Sequence, residues 1–230
     1  MGTFPREVSR PTEILQWLSG QVGGAEFWTS VGDTMRHTLL GMLIGGAAGI
    51  LLGLLMGEIP VLRRLFHGSV EFLRAIPVIV YLPLLILVFG AVPKTAVVLV
   101  AVAVSWPMLF QTMYGVQAAD ALLSDVGRVF GLTPRQRLLN ITIPGISPFL
   151  ATGVRISLSI ALIVSVSIEL IAGVPGLGWS LTQYQTAGNY PAVLGIVVVT
   201  GLLGLLLNQA VLFLEKSALR WHVSNRNVEG

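Results

Sequence analysis

The chain has 230 residues, 54% of them hydrophobic and only 11% charged, whereas a soluble domain carries roughly 25% charged residues, so an ordinary water-soluble fold is excluded. A net charge of +3 would suit nucleic acid, but Lys and Arg sit in short clusters between apolar runs, a pattern of membrane topology, and no nucleic-acid partner is expected. With no cysteine, neither a disulfide nor a thiolate metal site can form, and no metal centre is expected. The mean hydropathy of +0.82 and uncharged runs of about 20 residues match a bilayer core of roughly 30 Å. The fold class is therefore all-α, a polytopic membrane protein of about five transmembrane helices.

The first 30 residues lack the basic start and apolar core of a secretory signal, so targeting rests with the spans. Residues 1–33 read as an external segment. Within it, Pro11 to Val22 places Ile14, Leu15, Leu18 and Val22 at helical spacing behind Thr12, a possible N-cap. It is too polar to cross and is expected to lie on the outer surface. Spans follow at about Met35 to Gly57, Ile76 to Val92 and Thr95 to Tyr114, then Ile146 to Ala172 and Ala192 to Leu214. Arg36 and His37 stand at one mouth of the first span, and the histidines His37, His67 and His222 read as scattered and unpaired.

One set of loops holds Arg63, Arg64, Arg74, Arg128, Arg135, Arg137, Lys216, Arg220 and Arg226; the other side holds Arg6, Arg10, Arg36 and Lys94. The richer side belongs in the cytoplasm. The C-terminal tail, 217–230, is then cytoplasmic and the N-terminus external. Trp28 and Trp179 fall near the outer interface and Trp221 near the inner one.

Gly41, Gly45, Gly49, Gly53 and Gly57 recur every four residues through the first span, forming a slowly winding stripe without side chains. The stripe can pack a helix of the same chain, or serve as a subunit interface or sliding surface. Pro77 and Pro83 in the second span and Pro107 in the third are expected to kink their helices.

The connection between the third and fourth spans reads Asp125-Val-Gly-Arg-Val-Phe-Gly131-Leu-Thr-Pro-Arg-Gln136-Arg-Leu-Leu-Asn-Ile141-Thr-Ile-Pro144. It predicts two short helices with a sharp corner. Gly131 permits a positive φ, Thr133 caps the next helix, Pro134 fits its first position, and Gln136 completes a capping box. Pro144 and Pro148 are expected to limit that helix before the membrane is re-entered. Val129, Phe130 and Leu132 are apolar in a basic loop, which suits a protein partner or bracing of the subunit itself.

This segment resembles the EAA loop of binding-protein-dependent ABC importer permeases, the MetI-like type I fold. There an acid and two small residues precede a glycine, and an aliphatic, any residue, Leu and Pro follow about nine residues later. Asp125, Val126 and Gly127 take the opening positions, Gly131 the glycine, and Ile141, Ile143 and Pro144 the closing ones. Asp for Glu, Val for Ala and Ile for Leu are departures. Similarity runs from about Asp33 to Trp221. The segments Phe72-Leu-Arg-Ala-Ile-Pro77, Glu169-Leu-Ile-Ala-Gly173 with Gly176-Leu-Gly178, and Leu214 to Trp221 resemble the nitrate, sulfonate, taurine, bicarbonate and thiamine-precursor branch.

The resemblance implies a permease domain over 34–216 that works as a dimer with an identical or homologous permease, a cytoplasmic ABC ATPase dimer and an external solute-binding protein. ATP and Mg would sit on the partner ATPase, since this chain has no G-x-x-x-x-G-K-[ST] loop; no cofactor is expected here. ATPase coupling is expected of Asp125, Gly127, Gly131, Leu132, Thr133, Pro134, Arg135 and Pro144. The family usually has a further span before Met35, so either the five-span form is genuine or the sequence starts after that span.

Glu169, the acid deep in an apolar run, is a candidate because an intramembrane carboxylate is costly unless paired or hydrated. It has a structural or gating role, or contacts substrate. Pro77, Trp106 and Arg155 are the other pathway or gating candidates; Arg155 can also snorkel. The uncharged outer loop, Val174 to Pro191 with Asn189 and Tyr190, is a candidate docking surface for the binding protein. Other readings are a betaine, choline or methionine importer, a secondary transporter or channel, and an intramembrane enzyme. The last lacks any base near Ser157, Ser159, Ser165 or Ser167.

Overall fold

The computed structural model describes residues 9–118 and 131–218. Helix α1 spans Pro11–Gln21, α2 Ala25–Glu58, α3 Pro60–Ala75, α4 Leu82–Phe89 and α5 Pro93–Ala118. A helical turn, Pro134–Arg137, then leads into α6, Ile143–Ala172, followed by α7, Leu177–Thr186, and α8, Tyr190–Ala218. No strand occurs among the described residues.

Helix α1 starts at Arg10, not Thr12: the Arg10 N–H donates to Glu13 Oε2 at 3.1 Å, and Pro11 takes the first helical position, which needs no N–H. The helix is docked rather than merely surface-bound. The Trp17 ring packs against Gly195 of α8 so closely that a Cβ there would lie 2.4 Å from it, and it meets Tyr184 edge-on at 5.6 Å.

Helix α2 begins at Ala25, well before Met35, and its 34 residues at 1.5 Å each exceed the hydrocarbon core. Its glycine stripe faces α5 within the same chain. A Cβ on Gly41, Gly45, Gly49, Gly53 or Gly57 would come within 2.1 to 2.7 Å of Val100, the Ala101 or Ser105 carbonyl oxygen, the Leu109 carbonyl oxygen or Val116, respectively. Dispersion between two backbones replaces side-chain packing along this seam. The central core continues from it through Leu99, Val104, Met108, Ala161 and Ile168 of α5 and α6.

The second span departs most from expectation. Instead of one crossing from 76 to 92, the segment Val78–Phe89 is a 3-10 turn running into α4, and it is bent by 87° from α3. Ile76 before proline is extended, at φ −75° and ψ 121°, because the Pro77 ring disfavours helix at that position. Pro83 lies in the first turn of α4, where it costs no hydrogen bond and makes no kink. Gly90, at φ 82°, ends the segment. Among the described residues four helices are long and apolar enough to cross a membrane, or five if the bent pair is one span. Pro107 sits inside α5, which continues on both sides of it.

The prolines expected to stop the loop helix do not. Residues Arg135–Ala172 run as one span-length helical rod with a π-helical turn at Leu138–Thr142. The wider i→i+5 turn holds Asn140, whose carbonyl the Pro144 ring would otherwise meet. Pro148 cannot donate to Pro144, and the Ser147 hydroxyl takes that carbonyl instead at 2.7 Å. In the loop from Val174 to Pro191, α7 occupies most of the length and Asn189 Oδ1 caps α8 by accepting the Ala192 N–H, 3.2 Å away.

Candidate functional site

At the end that the charge pattern assigns to the outside, α2, α6 and the start of α7 meet around one carboxylate. Glu169 is fully buried. Its Oε2 accepts the Thr34 hydroxyl at 2.8 Å and the Gly178 N–H at 3.1 Å, and its Oε1 lies 2.9 Å from Nδ1 of His37. The Thr34 hydroxyl oxygen in turn accepts the Leu177 N–H at 2.9 Å, and Thr38 lies 3.0 Å from the Ser165 hydroxyl. Each partner removes part of the desolvation cost that makes an isolated buried charge intolerable. A Cβ on Gly176, at φ 148°, would fall 2.2 Å from the Glu169 carboxyl carbon, and one on Gly178 would fall 2.3 Å from the Val166 carbonyl oxygen. Glycine is therefore required for α7 to fold onto Glu169.

His37 is thus not unpaired: it is 1% exposed and bound to the acid. Thr34, His37 and Thr38 share one face of α2 at i, i+3 and i+4, a polar triplet in an apolar helix that the sequence does display. The described residues contain no group of three or more metal-ligating side chains.

At the opposite end a second carboxylate, Glu58 at the end of α2, accepts the Thr142 hydroxyl at 3.1 Å and lies 3.6 Å from Arg137. It ties α2 to the segment that resembles the EAA loop. Gly131 takes φ 64°, and the capping box forms as expected. Gln136 Oε1 accepts the Thr133 N–H at 2.9 Å, while the Gln136 N–H reaches Thr133 Oγ1 at 3.3 Å. Thr133 and Arg135 are exposed and Leu132 half-buried. Asp125 and Gly127 lie outside the described residues, and Pro144 sits in the first turn of α6.

A third place is a recess of about 420 Å³ beside the break before α4, lined by Arg74, Pro77, Trp106, Phe110, Gln111 and Tyr114 among others. It unites Pro77 with Trp106. The other two candidates lie elsewhere: Glu169 in the outer cluster, and Arg155 paired with Glu215 of α8, which anchors its charge on a neighbouring helix. Sequence reasoning did not single out Glu58, Thr34 or the paired role of His37.

The site thus sits in a packed bundle of long apolar helices with a capped loop leading into the rod that ends at Ala172. Residues 45–220 match the model of the binding-protein-dependent transport system inner membrane component family, and the chain belongs to that family. It is 27% identical over 188 residues to the nitrate import permease protein of Leptolyngbya laminosa, covering 82% of this chain and 67% of the relative. To the taurine transport system permease protein of Escherichia coli it is 27% identical over 220 residues, 92% of this chain and 79% of the relative. Its fold is shared with a methionine ABC transporter solved in inward facing conformations, at a TM-score of 0.71 and 22% identity, covering 91% of this chain and 99% of that one. The chain is therefore the multi-pass inner-membrane permease subunit of an ABC importer and not itself an enzyme.

Proposed function

We propose that this subunit forms half of a dimeric pathway for a small oxyanion, driven by a separate cytoplasmic ATPase that binds ATP and Mg and loaded by an external solute-binding protein. The observation that carries the mechanical part is the continuous helix from Arg135 to Ala172. It joins the loop that would seat in the ATPase to the Glu169 cluster at the far end, so displacement of the loop tilts the rod as a unit. The charge distribution supports an external N-terminus and a cytoplasmic C-terminus. The cargo class is supported by what the named relatives carry, nitrate and the sulfonate taurine, which share a singly charged oxyanion group.

The test is reconstitution of the permease with its ATPase and binding protein in proteoliposomes. ATP-dependent uptake of nitrate or taurine is expected, with no uptake of a quaternary amine; the reverse preference favours the betaine or choline reading. Gly131→Val with Pro134→Ala is expected to abolish uptake, by uncoupling hydrolysis or by preventing assembly. Normal uptake in that double variant overturns the coupling role. Because the chain has no cysteine, single cysteines near either terminus report sidedness with impermeant thiol reagents.

A further inference from the structure

The recess beside the 87° break carries an inference that rests on the oxyanion reading and goes beyond it. One wall is a single face of α5, where Trp106, Phe110, Gln111 and Tyr114 recur at helical spacing, and the facing wall is the chain reversal from Arg74 to Val78. The Arg74 guanidinium lies over the Phe110 ring at 4.5 Å, which fixes its plane by cation–π attraction. Phe110 is buried and so provides a rigid seat. One of the guanidinium nitrogens, Nη2, is 3.3 Å from Glu71, but that pair is loose, with Arg74 48% exposed, and pairs this exposed are worth little. The remaining N–H donors form a planar fork at a largely apolar recess whose lining also includes Gln111, Tyr114 and Trp106.

A guanidinium, an amide and two amphipathic rings are poorly suited to face acyl chains. A planar fork with several donors does match the oxygens of a nitrate, carbonate or sulfonate group, which it can take bidentately. We infer that this recess is an oxyanion subsite of the translocation pathway, with Arg74 as the charged ligand, Gln111 and Tyr114 as polar partners, and Glu71 as a competing internal anion that keeps affinity low enough for release. Weak binding is what conduction through a pathway requires.

Glu71 gives the test its sign. In the purified permease–ATPase complex in nanodiscs, without binding protein, equilibrium binding of nitrate and of taurine is measured by dialysis. Arg74→Gln is expected to weaken both by about tenfold or more, the equivalent of one charged hydrogen bond. Glu71→Gln is expected to strengthen both, and Arg74→Lys to change the nitrate-to-taurine preference, since an ammonium has no fork. Unchanged binding in assembled Arg74→Gln complex overturns the subsite, as does a loss of binding in Glu71→Gln, which marks a purely structural pair. If Arg74→Gln does not assemble, Glu71→Gln and Arg74→Lys decide the matter alone. Wild-type complex that binds neither anion, yet imports both in proteoliposomes, overturns the subsite and leaves the oxyanion importer standing. Import of neither overturns both.

Discussion

A carboxylate joins α2 to the α6 rod at each end, and the two joints are built differently. At the outer joint, by the sidedness proposed above, Glu169 is completely buried and has three hydrogen-bonding partners from two other segments. At the inner joint, Glu58 is about one-third exposed, at 33%, and holds a threonine and a more distant arginine. A buried joint has no water to replace a lost partner, whereas a hydrated one can exchange partners at little cost. The first joint is therefore the costlier to break and the second the easier to adjust, and under the mechanism proposed above the first serves as pivot and the loop end as moving arm.

The sharpest way to break this comparison is at the pivot. Glu169→Ala leaves His37, Thr34 and the Gly178 N–H buried without their acceptor, and a loss of roughly 3 to 5 kcal/mol in stability is expected for a broken buried pair. Thermal unfolding of the purified complex reads it; a melting temperature equal to wild type removes the pivot. Glu169→Gln keeps most acceptor geometry and is expected to lower the uptake rate while leaving apparent affinity unchanged. A changed affinity would move Glu169 into substrate contact.

Next in size is the seam. Gly45→Leu places a side chain against the Ala101 backbone and is expected to cost about 1 to 3 kcal/mol or more by overpacking, seen as lost expression and a lowered melting temperature. Gly46 is the control, because nothing lies within 4 Å of a Cβ there. Gly46→Ala should be neutral or slightly stabilising, consistent with helix propensity, and equal damage at both positions would show that stripe register is irrelevant.

Smaller in stability is the inner joint. Glu58→Ala is expected to cost about 0 to 1 kcal/mol yet raise the ATP consumed per cargo ion in proteoliposomes, since the arm loses its tie to α2. If it destabilises as strongly as Glu169→Ala, the two joints are equivalent and the pivot disappears. Smallest of all, Arg155→Ala breaks a partly exposed pair with Glu215 and should shift stability by no more than about 1 kcal/mol; a large drop in transport there would place Arg155 in the pathway after all.

Local chemistry was legible in the sequence wherever a rule involves residues a few positions apart. The glycine period, the Thr133–Gln136 box and the positive φ of Gly131 are of that kind. What was not legible depends on distance or on compensation. His37 meets Glu169 only because α2 and α6 pack, and their separation in sequence leaves no local trace. Pro144 and Pro148 signal helix breaks by themselves, but a π-helical turn and the Ser147 hydroxyl absorb them. At Pro77 the same residue type does break the chain, since the Pro77 ring holds Ile76 extended and the Ile76 N–H closes the end of α3 on the Leu73 carbonyl at 3.3 Å. The loop's opening residues, Asp125 and Gly127, fall outside the described residues, and the coupling role of the segment rests on resemblance.

The α2–α5 seam also has an entropic consequence. A glycine gives up no rotamer freedom when it is covered, so five successive contact positions on α2 dock without ordering a single side chain of their own. The side-chain cost of pairing then falls on α5, while the larger backbone entropy that glycine loses on becoming helical is met by the close contact of the two helices.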